Sequence, residues 1–397
     1  MIFLSSPFPL EHVSDQQLQR LCEVLWSWKI CLSCKAGQGC TTPHCSWPRS
    51  QRLAGYFAFY KDITALYVPE FLPGSHPALR SHEDLFEIIR VLKSQPDVPR
   101  FQLTKHYFST RDGGNAPMPP ISDQDRAVSL AVRAMAMVKC SAEKQSLDFV
   151  ELGTKSLQWR QEISLSQFVT EAFPETSHPA LSEKDNTGSS LEIKAQLTAQ
   201  RLKKIAGLKF QPTSDLGEHL KLDQKLGVVH IFHHTAFLTE HLIASQSIST
   251  TVSVGKAIEL ANIPRQLALE SLDSVQRILF PPDIHSQSLL RSLVSKAAFD
   301  PDCLRFESAP YRSDDENDIT YHHFCSRLMD LYDETISPTP RSLVDKWVEK
   351  RSGARHVMMA TLVGVIIAII LGILSLAVSI FQAWVGYQAW KHPLPNV

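Results

Sequence analysis

The chain has 397 residues, with 40 basic and 41 acidic side chains and a formal charge of −1. That balance excludes recognition of phosphate backbones by bulk charge, which needs a concentrated positive surface. The length suits two or three average domains, or one large domain with an appendage, and a hydrophobic content of 44% is ordinary for a globular chain.

The opening residues, MIFLSSPFPLEHVS, lack a basic leader and break their apolar run with serine and proline, so they do not read as a signal peptide. SDQQLQRLCEVLWSWK predicts a helix capped by Ser14, with Leu18, Leu21, Cys22 and Leu25 on one face. Next comes CLSCKAGQGCTTPHC, residues 31–45, which holds four of the eight cysteines, where a 15-residue window would hold about 0.3 by chance. Cys31 and Cys34 form the C-x2-C turn that sets two thiolates on one ion, and Cys40 with either His44 or Cys45 completes a tetrahedron. The pattern is similar to a zinc knuckle, C-x2-C-x4-H-x4-C, with the third ligand one residue late and cysteine in place of histidine. Gly37 and Gly39 help so short a loop fold back. Four protein ligands make such a zinc structural; reduced thiols and disulfides are the competing readings, the last suited only to an oxidising compartment.

AGYFAFYKDITALYV, residues 54–68, is rich in aromatic and β-branched side chains and predicts a strand, as does the short apolar run LGVVHIF at 226–232. Helical periodicity marks EDLFEIIRVLKS, then ISDQDRAVSLAVRAMAMVKC with Ser122 and Asp125 as a capping pair, and SLSQFVTEAF with Ser164 and Gln167 in the same arrangement, stopped by Pro174. LALESLDSVQRILF and ITYHHFCSRLMDLYDE add two more helices. STRDGGNAPMPP at 109–120 and PETSHPALSEKDNTGSS at 174–190 read as exposed loops.

Val357 to Phe381 then runs for twenty-five residues without a charge, fifteen of them Ile, Leu, Val or Phe, which predicts a transmembrane helix. Trp384, Tyr387 and Trp390 follow as an interfacial aromatic belt. Arg341, Lys346, Lys350, Arg351 and Arg355 precede the span and only Lys391 follows it, which puts the N-terminal part in the cytosol. The layout is that of a tail-anchored, single-pass protein of an internal membrane such as the endoplasmic reticulum rather than the plasma membrane. Ala360, Gly364, Ala368 and Gly372 recur every four residues and make one helix face suited to a homodimer contact.

The expected architecture is therefore α+β: a helix-rich cytosolic domain with a few short strands, plus one C-terminal transmembrane helix. The expected divisions are residues 1–50 for the first helix and cysteine segment, 51–338 for the helix-rich domain, 339–356 for a basic juxtamembrane helix, 357–381 for the span and 382–397 for a far-side tail.

Five blocks carry a resemblance: SDQDRAVSLAVRAMAMVKCSAEKQS, SLSQFVTEAFPETSHPAL, AQRLKKIAGLKF followed by DLGEHL, VVHIFHHTAFL, and YHHFCSRLMDLYDE through QAWVGYQAWKHP. Together, over residues 120–393, the chain resembles an uncharacterised family of filamentous-fungal proteins that end in a single membrane helix. The resemblance implies a membrane-anchored protein and brings no activity, cofactor or substrate. Where that family tends to carry Trp-Thr-Asp ahead of the DLGEHL block, this chain has Pro212, Thr213 and Ser214.

No GxSxG elbow, P-loop, dinucleotide fingerprint, kinase set or HExxH is present. The leading functional expectation is an anchored module that presents a cytosolic interaction domain to the bilayer surface and to a protein partner. The alternatives are a membrane-tethered metal-dependent hydrolase built on Asp215, His219, His233 and His234, and a zinc-knuckle-like nucleic-acid binder. The first alternative requires histidines on opposite strand faces to converge. The second has only Lys35 between the first and last cysteines, so nucleic acid is the least expected partner.

Overall fold

The computed structural model describes residues 8–70, 76–114, 117–142, 157–176, 178, 188–247, 252–305, 311–313, 316, 319–339 and 355–391. The chain divides into two units, Met1–Pro338 and Thr339–Val397. The larger is helix-rich with few short strands.

Local chemistry explains where many helices begin. Ser14 caps the Asp15–Trp26 helix: its hydroxyl accepts from Gln17 N at 3.3 Å, and Gln17 Oε1 accepts from Ser14 N at 2.7 Å. This reciprocal box satisfies two otherwise orphaned donors. Leu18, Leu21, Cys22 and Leu25 are buried along the expected face. Ser164 and Gln167 repeat the box at the head of the Leu165–Ala172 helix.

Two expectations are corrected. Residues 54–68 form no strand: Ala54–Ala65 is an α-helix, entered from the 3-10 turn Trp47–Leu53. Tyr56, Phe59, Tyr60 and Ile63 recur at the spacing of a helical stripe and are buried together, so burial of one face outweighs the strand preference of the individual side chains. The Ile121–Ala136 helix, in turn, is not capped by Ser122. Pro120 occupies the cap position, one residue ahead of the first helical residue, with the extended ψ of 144° that suits a helix entry. Ser122 donates instead to Glu70. Of the two expected loops, 109–120 begins inside the Arg100–Thr110 helix and continues as the 3-10 turn Arg111–Gly114; much of 174–190 lies outside the described residues.

The sheet is small. β3 (Lys209–Thr213) pairs in parallel with β5 (Val228–Phe232), which pairs antiparallel with β4 (Leu222–Asp223). Val228, Val229, Ile231 and Phe232 are all buried, as a central strand covered on both faces requires. A two-residue pair, β1 (Cys140–Ser141) with β2 (Leu157–Gln158), lies apart from it. The main core links Trp26, Tyr56, Phe86, Ala131, Phe237, Leu272 and Phe324.

The second unit contains the Arg355–Lys391 helix. Its stretch Thr361–Gln388 is 28 residues long, and its most apolar window has a mean hydropathy of 2.9 and no buried side. At about 1.5 Å per residue it exceeds a hydrocarbon core of about 30 Å. The helix runs past the expected end at Phe381 and carries Trp384 and Tyr387 within the same span. Most of the expected juxtamembrane helix, residues 340–354, lies outside the described residues.

Candidate metal centre and the buried histidines

Cys31 caps the one-turn helix Leu32–Lys35, which carries Cys34 inward to 5% exposure. Gln19 Nε2 donates to Cys34 O at 3.0 Å and Lys35 pairs with Glu23 at 2.6 Å, so the Asp15–Trp26 helix holds this turn in place. Gly37, at φ 72°, turns the chain back with its N–H on Cys34 O at 3.1 Å, a conformation that glycine adopts without strain. Ser46 N donates to Lys29 O at 2.9 Å and closes the loop at its base.

The result brings the sulfurs of Cys31, Cys34, Cys40 and Cys45 within 4.8 Å of one another. Cys34 Sγ and Cys45 Sγ are 3.8 Å apart, and Cys31 N donates to Cys45 Sγ at 3.4 Å. A tetrahedron with metal–sulfur bonds of about 2.3 Å has an edge of about 3.8 Å, whereas a disulfide needs about 2.05 Å. All four are free thiols, and four cysteines so placed could bind a metal ion. His44 is exposed and lies outside this group, so the fourth position falls to Cys45. The Cys34 backbone N–H, followed by that of Thr41, draws the Cys31 thiol down to about 6, while burial pushes Cys34 up to about 12. A thiolate is thus favoured at one corner before any ion arrives, and a cation would supply the field that ionises the others.

The four residues of the hydrolase alternative go to different tasks. Asp215 accepts from Gly217 N at 2.9 Å and Lys139 N at 3.2 Å, and burial raises its carboxyl. His219 is fully buried, accepts from Phe232 N at 3.1 Å on Nδ1 and meets Ser274 Oγ at 2.8 Å on Nε2. His233 Nδ1 accepts from Asp300 N at 2.9 Å. His234 Nε2 lies 3.0 Å from Ser214 Oγ. Burial first of all pulls His219 and His233 down to about 3, leaving neutral rings. Among the described residues the cysteines alone form a group of metal-ligating size.

Sequence reasoning passed over a cleft on the Ile121–Ala136 helix. A cavity of about 490 Å³ is lined by Tyr67, Arg126, Leu130 and Arg133, and a second of about 190 Å³ by Phe59, Arg133, Met137 and Ser214. Arg133 and Lys139 line both. The helical period of this segment was visible, but nothing local marks Arg133 as a residue shared by two cavities. No family model, curated protein or solved structure matches the chain.

Proposed function

We propose that this chain is a membrane-anchored protein that holds its helix-rich unit on the cytosolic side of an internal membrane and presents it to protein partners, with the N-terminal segment clipped by a structural zinc ion. The observation that carries the anchor is Thr361–Gln388, uncharged along its whole length and buried nowhere. The cytosolic side is supported by the cluster of Arg341, Lys346, Lys350, Arg351 and Arg355 ahead of the span. Zinc is supported by the all-thiol donor set, by sulfurs that all lie within 4.8 Å of one another and by the reducing compartment that the orientation implies. Four cysteine ligands leave no position for a reacting water, so the ion acts by tying the loop to the first helix.

Full-length protein purified in detergent under reducing conditions is expected to carry one equivalent of zinc by mass spectrometry, and Cys34→Ser is expected to carry none. A metal-free parent with a cooperative melting transition would remove the clip. For the anchor, an N-glycosylation acceptor appended after Val397 is expected to be modified in microsomes. Modification of an acceptor placed near the N-terminus instead would invert the orientation.

A further inference from the structure

β3 and β5 are paired in parallel with Thr213 opposite Phe232, so the residues that follow them leave the same edge of the sheet. Ser214 and His234 meet there, Oγ to Nε2 at 3.0 Å. C-terminal edges of parallel strands are where open sheets place reacting groups. On the far side of the ring, Nδ1 is buried without a hydrogen-bond partner and faces Asp300 Oδ2 at 3.7 Å. The carboxylate is held there from three directions. Its Oδ1 accepts from Asp302 N at 2.9 Å, the Asp300 backbone N–H donates to His233 Nδ1, and Gly55 leaves the space that the carboxylate fills. A Cβ at position 55 would stand 2.1 Å from Asp300 Oδ2.

The carboxylate also decides the tautomer. A lone pair on Nδ1 would face negative oxygen, whereas a proton there is attracted to it, so Nδ1 carries the hydrogen and Nε2 is left to accept from the Ser214 hydroxyl. Ser214 lines the cavity of about 190 Å³. Arg133 lines it too, its guanidinium 5.7 Å from the centre of the Phe59 ring and without a hydrogen bond or ion pair among the described residues.

We propose that Ser214 is a nucleophile, His234 its general base and Asp300 the positioning carboxylate of an esterase site whose substrate is a small carboxylic ester, with the acyl group in the cavity beside Ser214. Ser214 Oγ bonds to the carbonyl carbon as its proton passes to Nε2, and Nδ1–H closes on Asp300 to offset the imidazolium charge. The ester C–O bond breaks and Nε2 returns the proton to the departing alcohol. Water then attacks the acyl-serine with His234 again as base, releasing the carboxylic acid and restoring Ser214, so ester and water become acid and alcohol. Arg133 supplies positive charge for the carbonyl oxygen. The backbone N–H groups of Asp215, Leu216 and Gly217 are all engaged internally, so the site relies on the cations of the cavity wall, Arg133 and Lys139. An ester, whose alcohol leaves more readily than an amine, asks least of them. None of this depends on the anchor or the zinc clip.

The test uses the full chain in detergent with a fluorophosphonate probe and p-nitrophenyl butyrate. One probe per chain is expected, with the adduct located on Ser214 by peptide mass spectrometry. Ser214→Ala is expected to abolish labelling, and both it and His234→Gln to slow ester turnover by about 100-fold or more. Asp300→Asn is expected to lower kcat, counted per probe-titrated active site, by about ten-fold or more at unchanged KM, whereas a merely structural role would lower the number of active sites and leave the rate of each unchanged. Melting curves of the variants report folding alongside. A cooperatively folded parent without an adduct on Ser214, a folded Ser214→Ala that keeps its turnover, or a His234→Gln variant labelled as fast as the parent would each overturn the assignment.

Discussion

Replacing Glu270 by alanine is expected to cost the larger unit about 3 to 5 kcal/mol, of the order seen when a buried charged partner is removed from its network. Glu270 is fully buried in the Arg265–Asp273 helix, and its carboxylate accepts from three successive backbone N–H groups: His322 at 2.8 Å, His323 at 2.8 Å and Phe324 at 3.0 Å. Those residues lead into the Cys325–Ile336 helix, whose own cap position, Phe324, has no side-chain acceptor. A carboxylate more than fifty positions earlier in the chain therefore does the work of an N-cap. Gln266 Nε2 donates to the same group at 2.9 Å. Truncation leaves the three backbone donors without their acceptor, while Gln266 Nε2 keeps Thr320 O at 2.7 Å. The loss should appear as a fall of about 4 to 7 °C in the melting temperature of the full chain in detergent. Glu270→Gln keeps one acceptor oxygen and turns an amide toward the remaining donors, so its loss should be intermediate. Equal melting of the alanine variant and the parent would show that the three N–H groups reach water.

Stability is expected to fall steeply as pH drops from about 6.5 towards 5, because unfolding frees several neutral rings to take up protons. Burial is the leading cause that holds His219, His233 and His241 down to about 3, and it lowers His82 as well. Above the ordinary histidine pKa of about 6.5 neither state is protonated at these rings, and their contribution is complete. Below it the unfolded chain binds protons that the folded chain refuses, down to about 3, so each ring costs about 1.4 kcal/mol per pH unit and the three together about 4. Asp125, Asp215 and Glu240, raised by burial, act in the opposite sense, because the folded chain takes up their protons before the unfolded chain does. Against a typical total of about 5 to 15 kcal/mol, the histidine effect is enough to unfold the unit in mild acid. Urea midpoints measured from pH 7.5 to 5 would register it. A flat profile over that interval would mean that the rings are solvated or already charged in the folded state.

The histidines also show how far reading along the chain can go. His219, His233 and His234 stand out by composition, and a shared metal site is a natural expectation for them. Their partners are Ser274, Asp300 and Ser214, on separate segments, and only folding reveals that each ring is already occupied. The same holds for Ser214 itself. In the sequence it marks only a departure from a resembled family, and it gains a chemical role once parallel pairing sets it beside His234.

What the sequence determined by itself is what depends on near neighbours. The helix long and apolar enough to cross a membrane follows from a long uncharged run, because lipid asks only for length and the absence of charge. The caps at Ser14 and Ser164 close over three residues, and the four cysteines lie within fifteen positions, so both were legible as local patterns. Tertiary structure decided the rest. It chose helix over strand for Ala54–Ala65 by burying one stripe of aromatics, moved Ser122 from a cap to Glu70, chose Cys45 over His44 beside the other thiols, and carried Asp300 to His234 through the space left by Gly55. In each case the deciding free energy is burial or a hydrogen bond between groups distant in sequence, or the exact shape of one loop, and neither is encoded in the spacing of neighbouring residues.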